Sequence, residues 1–102
     1  LSASLTKGNI ELKTLGIKKA EAERNYRIAL SKKLFILRTD KYPVAVIQDI
    51  AKGTAELSDL RIHRDIEEVS YSVCVEAMRN LRLELEAYRS FLTWERIELK
   101  NT

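Results

Sequence analysis

Between Gly53 and Thr102 the chain contains neither glycine nor proline. Some 45 residues, 55 to 99, therefore hold nothing that would stop a helix once begun. At 1.5 Å per residue such a helix reaches roughly 65–70 Å. Steps of three and four from Leu57 pass through Leu60, Arg64, Glu67, Tyr71, Cys74, Met78, Leu81, Leu85, Tyr88, Leu92, Glu95 and Leu99. All but Arg64, Glu67 and Glu95 are apolar or aromatic, which is the seam of a helix that pairs with another helix. Thr54 stands where an N-cap belongs, and Glu56 places a negative charge in the first turn, where the helix dipole favours it.

The first half predicts a second long helix over residues 17–38, with a pattern that allows a start as early as Asn9. Ala22, Tyr26, Leu30, Leu34 and Leu37 recur along one face. Gly16 costs about 1 kcal/mol inside a helix, which leaves two courses open: a helix that runs on from Asn9, or a break at Gly16 between a short leading turn (Ile10, Leu12, Leu15) and the main helix. Residues 1–4 carry no pattern and stay outside the fold expectation. Pro43 suits a helix start and Gly53 the residue just past an end, which makes 44–52 a short helix with Val46, Ile47, Ile50 and Ala51 on its apolar face. The expected fold is all-α: an antiparallel hairpin of two long helices in one domain, with a short helix at the turn and a coiled-coil-like seam.

A length of 102 residues leaves room for one modest core. At 45% apolar and 32% charged residues the chain is too apolar for disorder, and no run approaches the roughly 18 apolar residues that span a bilayer. Cys74 is the single cysteine, so no internal disulfide can form. With no signal-peptide pattern in view, it points to a reducing cytoplasm. The net charge of +3 hides a division: Lys7–Lys41 carries 10 Lys/Arg and 4 Asp/Glu, whereas Tyr42–Thr102 carries 8 and 11. Two helices of opposite charge lying side by side account for this. The competing explanation is a basic first helix that binds nucleic acid.

The residues for catalysis are missing. Gly8, Gly16 and Gly53 open no phosphate-binding loop, and one histidine, His63, cannot build a His-based metal cluster. The Glu-x-x-His pairs of di-metal helical bundles are absent. Cys74 falls on the seam and reads as a small buried apolar residue. The chain is expected to be no enzyme and to hold no metal or cofactor. A helix-turn-helix over 46–64 fails on its own chemistry, since Glu56 and Asp59 at the start of the second helix would repel phosphate. Arg64 and Glu67 interrupt the seam on adjacent turns. Antiparallel pairing brings Glu23, Tyr26 and Arg27 near Arg64, Glu67 and Tyr71. Two readings follow: a partly buried network of two Arg–Glu pairs with tyrosine hydroxyls that fixes register, or a seam that simply turns toward solvent.

Several segments resemble one class of short proteins: Ala22-Glu23-Arg24-Asn25-Tyr26-Arg27-Ile28-Ala29-Leu30, Tyr42-Pro43-Val44 with Asp49-Ile50-Ala51-Lys52-Gly53, Leu60-Arg61 with Arg64-Asp65 and Glu68, and Leu85-Glu86-Ala87-Tyr88-Arg89-Ser90 with Leu92 and Trp94. These are helical proteins of no established activity encoded by phages and prophages of Gram-positive bacteria. The resemblance implies a phage origin, a bacterial cytoplasm and an interaction role, and assigns no catalytic residue.

The unequal helix lengths predict the interface. A first helix of at most about 30 residues leaves about 15 residues of the long helix without an intramolecular partner, and Leu85, Tyr88, Phe91, Leu92, Trp94 and Leu99 lie there. A homo-oligomer is expected, with a dimer favoured, alongside an unidentified protein partner and no membrane. The competing expectation is that the segment Leu5–Leu15 bends at Gly16 and covers this patch itself.

Overall fold

A computed structural model describes residues 2–101 and folds them into α1 (Ser2–Thr39), α2 (Val44–Lys52) and α3 (Ala55–Asn101). The two long helices form an antiparallel hairpin and the short one sits at its turn. The chain measures 85 × 23 × 16 Å along its principal axes. With a helix about 10–12 Å wide including side chains, this is a ribbon two helices across and one helix deep.

The first helix is longer than its pattern suggested. It begins at Ser2, not at 17 or 9, takes in residues 2–4, and runs through Gly16 without a break. The physical reason lies across the seam. A Cβ at Gly16 would sit 3.4 Å from Cε2 of Tyr71, and a Cβ at Gly8 would overlap Sδ of Met78. The two glycines are the positions at which α1 receives the bulky side chains of Met78 and Tyr71. Close packing there outweighs the roughly 1 kcal/mol that glycine costs a helix.

Gly8 meets Met78, Gly16 and Lys19 meet Tyr71, and Tyr26 meets Arg64, so the paired residue numbers add to 86–90 at these contacts. Leu5, Leu12, Leu15, Leu60, Leu81 and Leu85 are half-buried along this seam. On the same register Ser2 comes level with about residue 86, and the last four or so turns of α3 extend past the end of α1.

The turn is closed by backbone hydrogen bonds. Tyr42 N–H donates to Leu37 O at 3.1 Å and Lys41 N–H to Arg38 O at 3.1 Å, with Lys41 at φ 64°. This is a Schellman closure with lysine in the left-handed position that glycine usually fills. α2 then lays Ile47 and Ala51 against Leu37, with Leu30 and Leu34 alongside. Its buried face is narrower than expected, because Val46 and Ile50 stay exposed. The reason is the ribbon: a single neighbouring layer can cover only one edge of so short a helix. Thr54 caps α3 as its position foretold, its Oγ1 accepting from Leu57 N–H at 3.4 Å and donating to Ala51 O at 2.9 Å.

Candidate interaction surfaces

The core is small. Among the described residues Ala22, Tyr26, Leu37, Ile47, Ala51, Leu57 and Met78 are the buried apolar ones, and of these Leu57 and Met78 are the large, fully enclosed side chains. A compact monomer of 11.8 kDa exposes about 5,900 Å² by the scaling of surface with mass. This chain exposes 7976 Å², roughly 2,000 Å² more than that scaling gives. The surplus follows from the one-layer shape, in which each long helix has a neighbour on one side only.

The six C-terminal residues expected at an interface fall into two groups. Leu85, Tyr88, Leu92 and Leu99 continue the side of α3 that faces α1, whereas Phe91 and Trp94 lie on its outer side. Leu85 is half-buried because α1 reaches it. Tyr88, Phe91, Leu92 and Trp94 are 40–59% exposed, and Leu99 is exposed as well. The leading segment does not fold over them. Leu5–Leu15 stays in line with the rest of α1 and packs beside the part of α3 that includes Cys74 and Met78.

A second surface lies nearer the middle of α3. Ile62, Ile66, Val69 and Val73 are 55–63% exposed. Their steps of four, three and four place them on one stripe, about 150–170° around the axis from Arg64, Tyr71 and Met78. The stripe floors shallow depressions bordered by Asp65, Glu68 and Glu76 and running on to Ala77 and Asn80. The sequence reading followed only the register through Leu57 and missed this one. The signal was present in four β-branched residues at heptad spacing.

The polar residues expected to form a cross-helix network are arranged differently. Glu23 and Arg27 pair with each other at 3.1 Å on the exposed surface of α1. Arg64 donates from Nε and a terminal nitrogen to Asp65 Oδ1, at 3.2 and 3.1 Å, and lays its guanidinium carbon 4.5 Å from the centre of the Tyr26 ring. Lys19 Nζ stands 4.8 Å from the centre of the Tyr71 ring. Glu67 is half-buried. The ion pairs identified thus stay within helices, and cations stacked on tyrosine rings bridge α1 and α3. The cause is reach: a ribbon edge open to water lets Glu23, Asp65 and Glu76 each find a cation on its own helix, while the ring of the buried Tyr26 meets Arg64.

The basic residues of α1 do not form a single stripe. Lys7, Lys18 and Lys32 share one row of its outward half and Lys13, Arg24 and Arg27 another, and all six are exposed. Arg64 on α3 is held against Tyr26. His63 lies exposed in a depression with Lys18, Glu21, Asn25 and Glu67. Cys74 is half-buried with Sγ 4.0 Å from Gly8 O. Among the described residues no cluster of three or more His, Cys, Asp or Glu could hold a metal ion, and no helix is long and apolar enough to cross a membrane. No protein-family model, curated protein or solved structure matches this chain.

Proposed function

We propose that the chain is a self-associating helical interaction module, an accessory or regulatory factor of a phage or prophage, working in the bacterial cytoplasm and not as an enzyme. The observation that carries the self-association is the area. Roughly 2,000 Å² of surface beyond that of a compact monomer exceeds the ~800 Å² that each partner contributes to a stable interface. Tyr88 and Leu92, on the stretch of α3 beyond α1, add apolar side chains whose burial contributes about 1.5–3 kcal/mol each for groups of leucine size. A symmetric dimer, in which the projecting ends of two copies cover each other, is the simplest closed arrangement. The phage assignment rests on the resemblance alone, and the location on that resemblance together with the lone thiol.

Light scattering coupled to size-exclusion chromatography tests the self-association. The native chain should elute as an oligomer at tens of micromolar, and Leu85→Glu with Leu92→Glu should give a soluble monomer that is still helical by circular dichroism. A native monomer at that concentration would refute the reading.

A further inference from the structure

We infer that the outer stripe of α3, Ile62–Ile66–Val69–Val73, is a docking site for a partner helix whose apolar stripe is bordered by lysine or arginine. The surface is distinct from the projecting end invoked for self-association, and stands on different observations.

Three features point to a helix as occupant. The spacing of the four β-branched residues is that of a helix–helix seam. The depressions they floor extend to Asn80 along a straight helix, a length of about 27 Å or five turns. Ser72 and Ala77 are small, so a second helix can approach closely.

The border selects the charge of the occupant. Asp65, Glu68 and Glu76 line the depression, and no lysine or arginine lines it. Arg79 reaches Glu76 at 2.7 Å in a pair that remains solvated, and Arg64 reaches Asp65 at 3.1 Å while stacked on Tyr26, which leaves the half-exposed carboxylate of Asp65 open to a second cation. Solvated pairs exchange readily for an incoming cation. Antiparallel pairing of this stripe with itself would set the flank that carries Asp65 and Glu68 against the same flank of the second copy. The outer side of α1 from another copy is a poor fit, because Glu21 and Arg24 interrupt its apolar positions between Ile17 and Ile28.

The test uses the full chain and two synthetic 21-residue helical peptides with leucine at a and d. One carries lysine at every e and g position and the other glutamate. Titration by fluorescence anisotropy at 50 mM salt should show the lysine peptide binding at least about tenfold more tightly than the glutamate peptide. Asp65→Lys with Glu76→Lys should reverse that preference, and Ile66→Asp with Val69→Asp should abolish binding of both. All four positions are exposed, so the fold should survive, with circular dichroism as the check. Leu85→Glu with Leu92→Glu should leave peptide binding intact, which separates this site from the self-association surface. Equal binding of the two peptides, binding of neither, or a preference unmoved by the charge reversal would overturn the inference. So would dissociation of the native oligomer by Ile66→Asp with Val69→Asp, which would make a second copy the occupant.

Discussion

The guanidinium of Arg64 lies over the ring of Tyr26, 4.5 Å from its centre, and this pair joins the two long helices where a carboxylate–arginine bridge was expected. Tyr26 is 6% exposed, and a desolvated cation–π contact is worth up to about 2 kcal/mol, against about 0.5–1 kcal/mol at an exposed site. Urea unfolding of Tyr26→Leu, Arg64→Met and the double variant should reveal coupling of about 0.5–1.5 kcal/mol. The same cycle on Arg27→Met and Glu67→Met should be additive to within about 0.3–0.5 kcal/mol. The opposite pattern would restore the bridge.

Gly16 faces Tyr71 with room for one methyl group, since a Cβ would lie at ordinary contact distance, 3.4 Å. Gly16→Ala should therefore gain up to about 1 kcal/mol from helix propensity, read as a higher midpoint at unchanged m-value. Gly16→Leu should lose stability, because a larger side chain must displace the tyrosine. A destabilising Gly16→Ala would mean that the helices approach more closely than this geometry has them.

Lys41 holds φ at 64° to close the end of α1. A left-handed conformation costs a residue with a Cβ about 1–2 kcal/mol, and glycine avoids that cost while gaining freedom in the unfolded chain. Lys41→Gly should accordingly stabilise by about 0.5–1 kcal/mol in thermal or denaturant unfolding. Lys41→Val should destabilise, since a β-branched residue fits that region worst.

Nucleic acid provides a negative control for the surfaces described above. With its basic residues split between two rows of α1 and the acidic α3 alongside, the chain should bind duplex DNA at 150 mM salt no more tightly than the nonspecific range of about 10⁻⁴–10⁻⁶ M. Tighter binding with a steep salt slope, abolished by Lys18→Glu with Lys32→Glu, would turn attention to α1 instead.

The long helices were legible because helix continuity and seam spacing are local properties. Leu57, Tyr71, Met78 and Leu81 announce a face, and Thr54 announces a start. The course of α1 before residue 17 was less legible. Whether glycine breaks a helix or admits a neighbour depends on what stands opposite, and Tyr71 and Met78 lie 55 and 70 residues away in sequence. The partners of the charged residues were not legible for a related reason. Proximity across a seam was inferred from register alone, whereas Glu23 and Asp65 each found a cation on the same helix. Ile62, Ile66, Val69 and Val73 were not legible as a surface because a helix can carry two apolar faces, and spacing alone does not say which of them the fold leaves open.

The one-layer ribbon also governs how the hairpin comes apart. Each turn of α1 leans on a single level of α3, so cohesion accumulates level by level, as in a zipper, with no central mass binding the two ends together. The closed end has α2 as an extra clasp around Leu37, Ile47 and Ala51, while the Gly8–Met78 end has none. Amide protons should accordingly exchange along a gradient, slowest near Leu37 and Leu57 and faster toward Leu5 and Leu81. Any partner that grips the open end would flatten that gradient without altering a contact at the turn.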